Sequence, residues 1–202
     1  MKSMARTRHL LGRFFGSLVV RNVTRSDRLW VETILTAPEY QCWLRLSRAD
    51  AVESVAVARR FEGATQPAVS ATGLTAPPTY GSEVIAECVA AALLHDVGKL
   101  DCQLGTIGRA LATIAGGIAG HEMADAWSLR RGVTRRFGLY LRHGELGEQR
   151  VIVCGGRTRV ARWAAAHHDP TRWEDTGIPL DLCRLLAIAD GERVATGSPL
   201  GP

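Results

Sequence analysis

Residues 90–100 read Ala-Ala-Ala-Leu-Leu-His-Asp-Val-Gly-Lys-Leu, and this stretch decides the fold. An apolar run of helix-forming residues ends in His95 and Asp96, and Gly98 and Lys99 follow directly. Adjacent residues diverge by about 100° on a regular helix, so this imidazole and this carboxylate can converge only where the helix ends. Gly98 predicts that end, because glycine tolerates the left-handed turn that closes a helix.

The end of this helix brings three kinds of functional group together. A metal ion binds the imidazole of His95 and the carboxylate of Asp96, whereas a phosphate binds the ammonium of Lys99. Only Lys2 and Lys99 are lysines among the 25 basic residues, so a lysine here indicates a role that a compact ammonium fills better than a guanidinium. For an isolated His-Asp pair the alternative is a buried helix end followed by a surface lysine, and further ligands must decide between the two.

The string Leu-His-Asp-Val-Gly-Lys at 94–99 resembles the signature of the HD-domain metal-dependent phosphohydrolases. The resemblance implies an all-α fold, an HD-domain helical bundle. It also implies that one to three divalent metal ions support the hydrolysis of phosphate esters or anhydrides, often those of nucleotides. Further ligands are then expected in the rest of the chain.

Three histidines downstream have the chemistry of such ligands. His143 is followed four residues later by Gly147, which resembles the His-x-x-x-Gly element of binuclear HD proteins and lets another helix or a ligand approach the same face. His167 and His168 end an alanine-rich helix. Two imidazoles at a helix end are costly to bury without a partner, and a metal ion is one such partner.

The C-terminal part of the pattern is only partly matched. Residues 169–179 resemble the His-His-Glu … Gly-Tyr-Pro stretch of the HD-GYP cyclic-dinucleotide phosphodiesterases, but Ile178 stands where that subfamily has tyrosine. This difference argues against cyclic-dinucleotide specificity. Asp190 ends an apolar helix, where a carboxylate is unfavourable with the helix dipole and another group is expected to hold it. It resembles the final aspartate of the HD pattern.

The first position of the HD pattern departs from the family. The family has a histidine there, whereas alignment of the Ser-Val-Ala-Val-Ala stretch at 54–58 puts Glu53 in that position. A carboxylate can still bind a metal, and it shifts the preference toward Mg²⁺ or Mn²⁺. Alternatively, the site has lost its activity and binds without turnover. The sequence leaves both interpretations open.

The resemblance implies a two-metal hydrolase. Its first ion would be held by Glu53, His95, Asp96 and Asp190, and its second by His143, His167 and His168, with Asp96 bridging the two. The ions, expected to be Mn²⁺, Mg²⁺ or Fe²⁺, would activate a water for attack on phosphorus. Lys99, together with Arg142 or Arg172, would neutralise the charge on the phosphoryl oxygens of a phosphorylated small molecule or nucleotide.

Two other functions stay open at this stage. A catalytically silent HD module that senses a nucleotide or a metal is supported by Glu53. A basic adaptor would bind RNA or an anionic membrane through the N-terminal segment, which carries basic residues and one apolar helical face. A helix of that kind more often packs on its own domain.

Composition predicts one globular domain. The 202 residues are 46% hydrophobic and 22% charged, and the formal net charge of +5 suits anionic ligands. We expect a basic amphipathic segment over 1–25, an HD domain over 26–192 with a mobile loop at 62–81, and a flexible tail over 193–202. His121 is expected either to have a structural role or to contact a metal ligand without binding the metal itself.

The remaining features concern the compartment. No run of about 20 apolar residues predicts a membrane span. The five cysteines are scattered and include no Cys-x-x-Cys pair, which predicts reduced thiols and a cytoplasmic protein.

The Val-Ile-Val run at 151–153 has strand propensity, but its helical neighbours favour a helix.

Overall fold

The computed structural model describes residues 22–65, 80–119 and 122–192. Every regular element in these ranges is helical, which confirms the predicted all-α fold. The α-helices are α1 (Arg25–Ile34), α2 (Ala37–Trp43), α3 (Arg48–Thr65), α4 (Ser82–Leu94), α5 (Thr106–Ala119), α6 (Glu122–Ser128), α7 (Gly132–Leu141), α8 (His143–Val153), α9 (Thr158–Ala166) and α10 (Leu180–Ala189), with 3₁₀ turns at Val97–Asp101, Pro170–Arg172 and Glu174–Thr176. The helix predicted through 151–153 is confirmed as the end of α8.

Helix α4 forms the centre of the bundle. It contacts α1, α2, α3, α9 and α10, and every residue from Cys88 to Leu94 is buried. A helix that is apolar on all sides must be covered on all sides, and the short alanines of its second half let the neighbouring helices approach closely. Helix α4 therefore ends while the chain is still inside the protein, and His95 and Asp96 are both buried.

Helix α8 is wedged between the turn Val97–Asp101 and α9, and glycines make this packing possible. A Cβ atom on Gly98 would overlap the carbonyl oxygen of His143. A Cβ atom on Gly147 would lie 3.2 Å from the Cβ of Ala164. Gly98 is not among the glycines with positive φ, so the expected left-handed turn is wrong. Close approach of the α8 backbone explains this glycine instead.

Some predicted boundaries differ from the structure or lie outside the described residues. Helix α3 continues to Thr65, four residues into the loop expected at 62–81, because Phe61 is buried and Arg59 pairs with Glu62 at 3.0 Å across this last part. The rest of that loop up to residue 79 is not among the described residues, and neither are residues 1–21, His121 and 193–202. Among the helices that are described, none combines the length and the hydropathy needed to cross a bilayer.

Candidate metal centre

Except for Glu53, the candidate ligands lie at helix ends, and these ends meet at one place. His95 caps the C-terminus of α4 and Asp96 follows it. His143 is the first residue of α8, and His167 caps α9 with His168 next in the chain. Asp190 caps α10.

Asp96 lies at the centre of this group. One potential ligand atom from each of Asp96, His143, His167 and His168 lies within 4.8 Å of all the others. Oδ1 of Asp96 is 3.4 Å from Nε2 of His143 and 3.7 Å from Nε2 of His167, and these three atoms are buried without a hydrogen-bond partner. Leaving a buried polar atom unpaired costs about 1–3 kcal/mol, so several such atoms that point at one spot form a site that could hold a cation.

The second nitrogen of each buried imidazole fixes the tautomer. Nδ1 lies 2.8 Å from a backbone carbonyl oxygen in His95, 2.6 Å in His143 and 2.8 Å in His167, and in each case the carbonyl is three residues earlier in the chain. A carbonyl can only accept, so Nδ1 carries the hydrogen, and in a neutral ring Nε2 then presents its lone pair. This arrangement orients a histidine for a metal ion.

His95 links the cluster to Asp190. Its Nε2 lies 3.3 Å from Oδ2 of Asp96 and 3.5 Å from Oδ1 of Asp190, and it has no hydrogen-bond partner. Burial alone would lower the pKa of His95, but the two carboxylates raise that pKa well above its usual value. Asp190 is only 7% exposed, so the group expected to hold this helix-terminal carboxylate is His95.

The other buried imidazoles have the opposite electrostatics. Burial lowers the pKa of His143 despite the contact with Asp96. Burial also lowers the pKa of His167, and the neighbouring His168 and His95 depress it further, to well below its usual value. Both rings are therefore neutral at physiological pH, which is the form that binds a metal ion.

His168 is oriented by a residue that the sequence analysis did not identify. Its Nδ1 lies 2.5 Å from Oε1 of Glu192, and its side chain is half exposed. Gly191 has a φ of 88°, and the Glu192 N–H donates to the carbonyl of Ala187 at 2.9 Å. This left-handed turn folds Glu192 back onto the site, and a glycine directly after an apolar helix was the available signal. His168, Asp190 and Glu192 form a second set of candidate ligand atoms within 4.8 Å of one another.

The ammonium of Lys99 reaches the site, but it is already paired with the carboxylate of Asp96. Its ammonium contacts Oδ2 of Asp96, and its side chain is 14% exposed. Burial would lower the pKa of Lys99, and Asp96 reverses this effect so that the pKa is raised. For Asp96, burial would raise the pKa, but Lys99 and His95 hold it well below its usual value. Asp96 is therefore a carboxylate with one oxygen on Lys99 and the other free for a cation.

The structure does not bring Glu53 into the cluster. Its carboxylate belongs to neither set of candidate ligand atoms, and its side chain is 46% exposed. It pairs instead with Arg60 at 3.1 Å, and Arg60 also donates to the carbonyl of Ala189 at 2.6 Å. Because residues seven apart lie on the same face of a helix, Arg60 is placed to hold this carboxylate at the surface of α3.

The two arginines expected to bind the substrate are also engaged elsewhere. Arg142 pairs with Glu145 at 2.9 Å and with Asp125 at 3.0 Å. Arg172 donates to the carbonyl of Ala165 and lines a surface pocket of about 430 Å³ that includes none of the cluster residues. Neither arginine contacts a candidate ligand in the structure.

Comparisons with protein-family models, with curated proteins and with solved structures give no match for this chain. Membership of the HD-domain superfamily therefore stays a prediction from the residues at 94–99 and their downstream partners. The geometry of the His/Asp cluster stands independently of that prediction.

Proposed function

We propose that this chain is a divalent-metal-dependent phosphohydrolase that cleaves a phosphate ester or anhydride, with nucleotides as the expected substrate class. The observation that carries the proposal is the convergence of buried, unpartnered atoms: Nε2 of His95, His143 and His167 and Oδ1 of Asp96. His143 and His167 are neutral and turn the lone pairs of Nε2 toward the centre, beside the carboxylate oxygen of Asp96. A cluster of this kind suits a cation.

The donor set supports the choice of ion. Imidazoles outnumber carboxylates in the set around Asp96, and imidazole suits Fe²⁺ and Zn²⁺ better than Mg²⁺. A preference for Mg²⁺ would require Glu53 as a ligand, and Glu53 lies outside the cluster. The proposed ion is Fe²⁺, which the imidazoles favour, or Mn²⁺, which the carboxylate of Asp96 also suits. It would be held by Asp96, His143 and His167, with His168, His95 and Asp190 able to extend the site to a second ion.

The chain's own residues account for positioning and charge. A divalent ion in the cluster would lower the pKa of a water and polarise the phosphoryl group. Lys99 holds Asp96 in its ionised form, so that Oδ1 of this carboxylate stays available to a cation. His168 is the half-exposed member of the set and marks the side from which a substrate enters.

Purified protein tests the proposal in two steps. Metal content is measured first, and turnover is then assayed with Mn²⁺, Fe²⁺, Mg²⁺ or Ni²⁺ against a generic phosphodiester and a nucleotide panel. We expect Mn²⁺ or Fe²⁺ to support hydrolysis and His167→Ala to abolish it. Protein that takes up no divalent ion and hydrolyses nothing contradicts the proposal.

A catalytically silent sensor is the second candidate, and the Glu53–Arg60 pair favours it. The pair places a fixed surface interaction where the HD pattern has a metal-binding histidine. This function predicts binding of a metal or nucleotide without turnover. If hydrolysis appears only in the Glu53→His variant, the natural chain is the catalytically silent module and not the active phosphohydrolase.

A further inference from the structure

The segment from α5 to the start of α7 exposes an unusual amount of aliphatic surface. Ile107, Leu111, Ile114 and Ile118 recur at the spacing of one helical face of α5, and they are 67%, 52%, 57% and 83% exposed. Of the thirteen exposed large hydrophobic side chains in the described residues, seven lie between 107 and 133. A concentration of this kind marks an interaction site rather than the scattered apolar residues of an ordinary surface.

Unpaired arginines lie on the neighbouring part of the fold, because α7 packs against α5. Leu129 is 86% exposed and Val133 is 61% exposed, at the turn that joins α6 to α7. Four exposed arginines surround them in sequence, namely Arg130, Arg131, Arg135 and Arg136. None of the four forms an ion pair or a side-chain hydrogen bond with any residue that the structure describes. We call the residues Ile107, Leu111, Ile114, Ile118, Leu129, Val133 and these four arginines the α5–α7 surface.

The charge of this surface selects among its possible occupants. A second copy of the chain would bring the same arginines to a symmetric contact, where like charges repel. The N-terminal segment carries Lys2, Arg6, Arg8 and Arg13 and would be repelled in the same way. An anionic occupant meets both the aliphatic side chains and the arginines.

The aliphatic character of the surface favours lipid over nucleic acid. Proteins that bind single strands stack bases on aromatic side chains, and none of the seven exposed apolar residues is aromatic. Aliphatic side chains buried at the headgroup boundary, with arginines on the lipid phosphates, are typical of helices that lie in the plane of an anionic membrane. Helix α5, with 14 residues, is about 21 Å long and too short to cross a bilayer.

We propose that the α5–α7 surface docks this protein on anionic phospholipid bilayers. The aliphatic side chains insert at the headgroup boundary, and the arginines neutralise lipid phosphates. This docking is independent of the proposed hydrolysis, because none of its residues belongs to the metal cluster.

Co-sedimentation of the full chain with vesicles tests the proposal. We expect strong binding to equal parts of phosphatidylcholine and phosphatidylglycerol, and much weaker binding to phosphatidylcholine alone. The double variant Arg135→Gln, Arg136→Gln lowers the partition constant on the anionic vesicles by about 30-fold, because each arginine near an anionic surface contributes about 1 kcal/mol. The double variant Ile114→Ser, Ile118→Ser lowers it by about 100-fold or more, because burying each isoleucine side chain contributes at least about 1.5 kcal/mol.

Matched controls separate docking from general charge and hydrophobicity. Ile152 and Val153 are 58% and 87% exposed, so Ile152→Ser, Val153→Ser removes the same kind of exposed surface elsewhere. Arg25→Gln, Arg28→Gln removes two exposed charges from α1. Both controls retain the wild-type partition constant, and circular dichroism verifies that all variants are folded.

Three results would overturn the proposal. The first is failure of the wild-type chain to sediment with the anionic vesicles. The second is binding that the α5–α7 variants and the controls reduce equally, which assigns it to the N-terminal segment or to net charge. The third is light scattering that shows a dimer dissociated by Ile114→Ser, Ile118→Ser, or an RNA that displaces the protein from vesicles through Arg135 and Arg136.

Discussion

Nε2 of His143 lies 3.4 Å from Oδ1 of Asp96, and both atoms are buried without a hydrogen-bond partner. The two residues are far apart in sequence, and they meet because α8 packs its first turn directly on the turn after α4. Gly98 permits that packing, since any side chain there would collide with the backbone of His143. A cation between the two groups would satisfy both atoms, so the contact predicts specific effects of metal and of mutation.

Replacing Asp96 should remove the metal site and destabilise the protein at the same time. Asp96→Asn takes away the central carboxylate and leaves the ammonium of Lys99 buried without its counter-ion, at a cost of about 3 kcal/mol in the free energy of unfolding. Metal analysis and urea unfolding measure the two effects. The double variant Asp96→Asn, Lys99→Met should recover most of the stability but no metal binding. Full metal occupancy in Asp96→Asn would contradict the central role of this carboxylate.

Divalent metal should stabilise the folded chain and chelation should reverse the effect. Mn²⁺ at a hundred times its Kd adds about 2.7 kcal/mol, which raises the Tm of a chain of this size by about 5–10 °C. Thermal unfolding with Mn²⁺ and then with excess EDTA measures it. His167→Ala removes a buried Nε2 and should abolish the shift. An equal shift in His167→Ala would place the ion outside the cluster.

Glu192 should control the affinity of the site through His168. A carboxylate on Nδ1 orients the ring and increases the basicity of Nε2, so Glu192→Gln should weaken Mn²⁺ binding by about 10- to 100-fold. Isothermal titration calorimetry measures the affinity. Gly191→Ala should act in the same direction, because alanine is strained at the φ of 88° that aims Glu192.

Glu83→Gln is the matched control for Glu192→Gln, because Glu83 lies in the first turn of α4, at the opposite end from His95. It should bind Mn²⁺ as the wild type does. Loss of one whole equivalent of Mn²⁺ in Glu192→Gln, rather than a change in affinity, would show that Glu192 is itself a ligand of an ion.

Glu53 should be dispensable for metal binding. Its contact with Arg60 is half exposed on both sides, and a surface pair of that kind contributes about 0–1 kcal/mol. Glu53→Gln should therefore leave the Mn²⁺ stoichiometry unchanged and the Tm nearly so. A variant that loses metal would restore the ligand role that the HD pattern implies for this position.

The sequence predicted the helical fold and most residues of the buried His/Asp cluster for identifiable reasons. The His95–Asp96 pair after an apolar run indicates a helix end at the core, and the later histidines and Asp190 also stand at helix ends. Polar residues that terminate buried helices are visible in sequence as interruptions of the apolar pattern. These positions are the ones that the structure brings together around Asp96.

Contacts between distant side chains could not be predicted in this way. The sequence aligns Glu53 with a ligand, but only the fold shows that Arg60 holds its carboxylate at the surface of α3. Glu192 has no motif, and it reaches His168 through the turn at Gly191. The sequence predicts Gly98 as the residue of a left-handed turn, whereas the structure shows that the close approach of α8 requires a glycine there.

The buried pair of Glu39 and Arg157 should make the fold sensitive to acid. The Glu39 carboxylate is fully buried and accepts hydrogen bonds from the backbone N–H of Arg157 at 2.8 Å and from its guanidinium at 2.6 Å. Burial alone would raise the pKa of Glu39, but the hydrogen bonds from Arg157 and Thr36 outweigh it and lower the pKa below its usual value.

The sign of the pH effect follows from that lowered pKa. A glutamate in the unfolded chain takes up its proton near about pH 4.3, whereas folded Glu39 does so only at lower pH. The stabilisation is therefore fully present above that unfolded value and is lost as the pH falls through the folded pKa. Glu39→Gln should lower the free energy of unfolding by about 3 kcal/mol at neutral pH and by less at about pH 3. Urea unfolding at both pH values measures this difference, with Glu62→Gln as the control because its pair with Arg59 is at the surface. A loss in Glu39→Gln that is the same at both pH values would mean that packing, not the ionised pair, stabilises this contact.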